Sequence, residues 1–243
     1  MALKTNLISY WKLEEASGTR VDAHGSNDLT DNNTVTSATG KSGNAADFEA
    51  GNSEYLNITD ASQSGLDITG DLSINLWVNF ESLTTGRMIS KSDFGTADRA
   101  YSFLWVNTVT DYLRLYLYDG VTEYEPTVAW TPSTATWYML TVVYDASAGT
   151  QDYYVNGSQQ GTQQTGAVNS IRNSTANFNI SAAQGDVNYF DGLIDEVAIW
   201  NKTLTTAEIT EIYNAGTGLF YDDWDVVGGA VQVHSNLALL GVG

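Results

Sequence analysis

Two acidic residues stand side by side inside an apolar run, Phe190-Asp191-Gly192-Leu193-Ile194-Asp195-Glu196-Val197-Ala198-Ile199-Trp200. Ile194, Val197 and Ile199 belong in a core. Asp195 and Glu196 call for water, a cation or a partner, because a buried, unpaired carboxylate is costly. Two carboxylates are also the apparatus of glycoside hydrolysis, in which acids about 5–9 Å apart flank the scissile bond. On a strand, though, adjacent side chains point to opposite faces, so alternation predicts Asp195 and Glu196 apart and no catalytic dyad. Glu123 and Glu125 do share a face, but Pro126 follows them and Thr127 stands where a third acid would complete the pattern. They read as a solvated edge. The chain has no Gly-x-Ser-x-Gly elbow, phosphate loop or histidine base, so it is expected not to be an enzyme.

The elements that must position these groups are strands. Ser73-Ile74-Asn75-Leu76-Trp77-Val78-Asn79-Phe80 alternates, and so do the runs 112–118 and 137–144; period 2 marks half-buried antiparallel strands. Asp119-Gly120 carries turn chemistry, and Asn156-Gly157 between two short runs is a hairpin signal. Further strands are expected near residues 7–13, 45–49, 54–58, 87–91, 100–106, 123–130 and 176–182. A helix follows the acidic pair. Thr205 and Glu208 have capping-box spacing, Leu204 and Ile209 form a hydrophobic staple, Ile209, Ile212 and Tyr213 make the apolar stripe, and Gly216 is the expected C-cap. About a dozen strands and one short C-terminal helix predict an all-β fold, an antiparallel two-sheet jelly-roll sandwich.

Composition narrows the partners. With 29 acidic against 10 basic residues the net charge is -19, which repels a phosphate backbone and argues against nucleic acid. No cysteine is present and the two histidines, His24 and His234, lie far apart, so thiolate and histidine-based metal sites are not expected. No stretch reaches the ~18 apolar residues of a membrane span, so membrane insertion is not expected. Nor does a secretory signal pattern open the chain. Trp77 and Tyr138 lie out of phase with the core positions of their strands, yet no sugar site can be singled out among so many aromatics. After Gly218 the character changes. Residues 1–218 read as the folded domain and 219–243 as an apolar C-terminal tail for packing or assembly.

Several segments resemble laminin-G-like domains of the concanavalin A-like lectin-glucanase jelly-roll family. They are Leu7 to Thr19, Val21 to Leu29, Gly43-Asn44-Ala45-Ala46-Asp47-Phe48, Ser73 to Val78, Trp137 to Tyr144, Val155-Asn156-Gly157 and Phe190 to Trp200, in the family's order. The resemblance spans roughly residues 7–216 and implies a structural Ca2+ near the first loop and last strand, carried here by Asp22, Asn27 and Asp195, with Asp28 as a substitute for Asn27. Calcium takes six to eight oxygens; the residues alone equally allow an Asx-turn at Asp22 with Asp195 bonded to backbone.

The expected function is non-catalytic surface recognition or adhesion of the laminin-G-like type, with a glycan or protein surface ligand, at an extracellular or virion surface. The alternative is a structural virion protein, a phage capsid-decoration or tail component, or a homo-oligomer, assembling through residues 219–243. A glycoside hydrolase comes third.

Overall fold

The computed structural model describes residues 3–224. In chain order the strands are β1 (Leu7–Trp11), β2 (Thr30–Asn32), β3 (Thr36–Thr39), β4 (Asn44–Phe48), β5 (Tyr55–Ile58), β6 (Leu72–Phe80), β7 (Gly86–Ser92), β8 (Arg99–Val106) and β9 (Tyr112–Tyr118). They continue with β10 (Glu123–Tyr124), β11 (Thr127–Ala129), β12 (Trp137–Asp145), β13 (Thr150–Val155), β14 (Ser158–Gln159), β15 (Gln164–Thr165), β16 (Phe178–Ile180) and β17 (Gly192–Trp200), before helix α1 (Thr206–Tyr213). The larger sheet runs β14-β13-β12-β6-β17-β4-β3, with β1 on β17 and β15 on β13; the smaller runs β10-β9-β8-β7-β16-β5-β2, with β11 on β9. All strand pairings within the two sheets are antiparallel, as the alternation predicts for a jelly-roll sandwich.

The core lies between the sheets. Ile74, Leu76, Val78 and Phe80 of β6 meet Leu113, Leu115 and Leu117 of β9 and their neighbours there. The Asn156-Gly157 turn closes β13 on β14 with both residues at positive φ, 52° and 74°, the backbone of a type I′ hairpin. The expected strand over 123–130 is split in two, because Pro126 has no N–H to donate to the ladder.

The central strands of the larger sheet, β6 and β17, are buried on both faces. Helix α1 carries the expected capping box at Thr205 and Glu208 and lays Ile209 and Ile212 over the outer side. There they join Trp77, Met139, Trp200 and Trp224 in a second apolar cluster. Trp77, out of phase with the core, is therefore covered by the helix, stacking on Tyr213 at 6.0 Å. The helix ends earlier than expected. Asn214 (φ 46°) is its C-cap, an αL position that asparagine tolerates, and Gly216 lies in the turn beyond. Of the tail, residues 219–224 pack on the larger sheet, Trp224 stacking on Trp200 at 5.6 Å; an assembly role for 225–243 lies outside the described residues.

Candidate functional site

The acidic pair departs from alternation. The pairing of β17 with β6 shifts register between Asp195 and Ala198, and Glu196 takes φ 51°, a β-bulge. Ile194 and Val197, on either side, both enter the main core. The two carboxylates are thereby driven to the outer side of the larger sheet together, correcting the expectation of opposite faces. Glu196 Oε2 accepts the Tyr10 hydroxyl. Asp195 Oδ2 accepts the N–H groups of Lys41 (2.8 Å) and Ser42 (3.1 Å), while Oδ1 has no partner. Burial pushes both carboxyls up to about 8; the charge of Glu14 adds to each, and that of Asp195 adds to Glu196. With 0% and 3% of their surface exposed, the pair is closed to any substrate.

The expected calcium ligands separate into two places. Asp22 Oδ1 accepts the backbone N–H groups of Tyr10, His24 and Gly25, and Oδ2 that of Asn27. The Asn27 amide accepts from Ser64 N–H and donates to Ser9 and Ser64, and Asp28 accepts from Asp22 N–H. Four backbone N–H donors take up the acceptor sites that the Asp22 carboxylate would offer a cation, so the Asx-turn reading describes this loop. Asp195 differs, with an orphaned oxygen among acids.

Glu123 and Glu125 pair with Arg99 and Arg114 on the smaller sheet. Asp47, Glu49 and Glu81 bring carboxylate oxygens within 4.8 Å of one another, two of the three exposed; burial, then like charge, raises all three.

A groove of about 470 Å³ opens on the outer face of the smaller sheet, within the range of ligand sites. Its floor follows from alternation. In β5, Leu56 and Ile58 face the core while Tyr55 and Asn57 face out; in β16, Phe178 and Ile180 face in and Asn179 out. Asn57 is paired directly with Asn179, and Asn179 with Ser90 of β7. The walls are two loops, 93–98 and 181–191, held together by Phe94 N–H donating to Gln184 O at 2.7 Å. They contribute Asp93, Gln184, Asp186 and Tyr189, and Asn177 stands just before β16. The rings of Tyr55 and Tyr189 lie 6.3 Å apart at 43°, two half-buried aromatics at one opening. Asn177 has no hydrogen bond through its side-chain amide among the described residues, and Asp93 uses one oxygen on Gly95 N–H.

Sequence reasoning missed this groove. The outward positions of β5 and β16 were legible from alternation, but not that strands more than a hundred residues apart are neighbours, nor that a loop brings Tyr189 beside Tyr55.

The laminin G family model described as "Concanavalin A-like lectin/glucanases superfamily" matches residues 50–210. The chain belongs to the concanavalin A-like lectin/glucanase superfamily. No curated protein matches it. Among solved structures, this superfamily member is similar to domain 4 of AbnA, a GH43 extracellular arabinanase from Geobacillus stearothermophilus, in complex with arabinotriose: TM-score 0.65, 23% identity, 85% of this chain and 97% of that one. It is also similar to the binding domain of Paraclostridial Mosquitocidal Protein 1 (TM-score 0.68, 13% identity, 88% of this chain and 53% of that one). The binding domain of botulinum neurotoxin DC, in complex with rat synaptotagmin II, scores 0.67 at 14% identity, over 88% of this chain and 52% of that one. The chain thus spans about half the length of each toxin domain. These likenesses establish the fold. No helix among the described residues is long and apolar enough to cross a membrane.

Proposed function

We propose that this chain is a non-catalytic recognition module that binds a saccharide in the groove lined by Tyr55 and Tyr189. One observation carries the reading: two tyrosine rings and a row of side-chain amides converge on one open groove, away from the closed acidic pair. Sugar rings present apolar C–H faces that pack on aromatic rings, and hydroxyls that exchange hydrogen bonds with amides and carboxylates. The arabinotriose complex of the AbnA domain supports a saccharide as the occupant; the synaptotagmin complex makes a protein ligand the outcome to test against. An acidic surface without cysteines suits an exterior setting, extracellular or on a particle.

Calcium belongs to the same reading as a structural ion. Asp195 would hold it through its unpartnered oxygen, with Glu14 beside it, relieving the charge gathered at the bulge; Asp22 and Asn27 would not take part.

The test is a glycan array followed by titration calorimetry. Saccharide binding that falls by tenfold or more in Tyr189→Ala and in Asn179→Ala, about 1.4 kcal/mol or more, is the expected result. Wild-type affinity in both variants would refute this site.

A further inference from the structure

The groove's charge sets which saccharides it takes, an inference that rests on the saccharide reading above. Among the described residues, its lining contains two acids, Asp93 and Asp186, and no lysine, arginine or histidine. The guanidinium nearest the wall is spent: Arg87 Nε donates to Asp186 Oδ2, Nη1 donates to Ser102 Oγ at 2.9 Å, and the group lies 3.8 Å from the centre of the Phe94 ring. Arg87 is also only 8% exposed. The Arg87–Asp186 pair cancels, which leaves Asp93 as the uncompensated charge. Its second carboxylate oxygen has no partner among the described residues, because Oδ1 takes Gly95 N–H at 2.8 Å.

A sugar carboxylate needs a cation, preferably a bidentate guanidinium, to repay its desolvation. The groove offers none and places a like charge beside it. A neutral sugar loses nothing there, since its hydroxyls donate to Asp93 and to the amide oxygens while the amide N–H groups of Asn57 and Asn177 donate back. We propose that the groove selects uncharged saccharides and rejects those bearing sialic or uronic acid, with Asp93 as the residue that enforces the choice.

The experiment compares matched pairs, each neutral oligosaccharide with the same chain carrying one sialic or glucuronic acid, including lactose against sialyllactose and xylo-oligosaccharides with and without glucuronyl branches. Arabinotriose serves as a further neutral probe. Full-length protein is titrated at low and at physiological ionic strength. Binding of neutral members, with the acidic partners weaker by roughly tenfold or more, is the expected result. The gap should narrow as salt screens the repulsion and narrow again in Asp93→Asn. Acidic glycans bound as well as their neutral partners would overturn the selectivity while leaving the saccharide reading in place. A discrimination unchanged in Asp93→Asn would remove that residue's role. No saccharide of either kind bound would overturn the saccharide reading, and this inference with it.

Discussion

Asp195 shows how one side chain can be half satisfied. Two N–H groups hold Oδ2, nothing holds Oδ1, and burial with neighbouring acids disfavours the charge. If calcium neutralises this oxygen, millimolar calcium raises the melting temperature of the wild type over that in chelator and leaves Asp195→Asn unmoved. At a hundredfold excess over Kd the gain is about 2.7 kcal/mol; equal melting in both buffers removes the ion. At Asp186 the balance is opposite. Burial pushes its carboxyl up, but the Arg87 guanidinium and two further donors outweigh it, so the group sits below its usual range. Burial lowers Arg87 as well, yet a guanidinium stays charged at any relevant pH, so Asp186 is the group that titrates. A depressed folded value means stability that is complete above the ordinary carboxylate value of about 4 and is lost as pH falls through the folded one. Denaturant unfolding between pH 3 and pH 7 should therefore show a flatter acid limb in Asp186→Asn than in the wild type; superimposable slopes would contradict this account.

At the scale of elements, two irregular segments decide what the regular strands cannot. The bulge at Glu196 turns both acids to one side, and the loops 93–98 and 181–191 raise the walls of the groove. Their approach depends on Gly185. Its φ is 66°, and a Cβ there would stand 2.1 Å from Gly95 N. Gly185→Ala costs about 1–2 kcal/mol in backbone strain alone and must part the two loops. It is expected to weaken saccharide binding by tenfold or more while the sandwich keeps its far-ultraviolet circular dichroism; unaltered affinity would show that Tyr189 needs no such positioning. The strands of the floor were readable beforehand, since Tyr55-Leu56-Asn57-Ile58 and Asn177-Phe178-Asn179-Ile180 both alternate. The bulge was not, because nothing local in Ile194-Asp195-Glu196-Val197 distinguishes a strand with an extra residue from a regular one.

For the whole molecule, the sandwich has two apolar layers. One lies between the sheets, and the second is where α1 and residues 219–224 cover the larger sheet. Trp224 is 4% exposed and donates its indole N–H to Leu219 O at 2.8 Å. Trp224→Ala should cost about 3–5 kcal/mol, the range for large aromatics removed from a core, measured by urea unfolding. A loss below about 1 kcal/mol would mean that this segment adds little to the domain.

Fold class, the inward faces of the main strands, the capping box and the Asn156-Gly157 hairpin were all legible in the order of the residues. Each depends on periodicity or turn chemistry within a few positions of the chain. The groove, the shared side of Asp195 and Glu196, the covering of Trp77 and the separation of Asp195 from Asp22 were decided by the tertiary structure. These depend on which distant strands lie side by side and in what register, and pairings across more than a hundred residues leave no mark on any one segment.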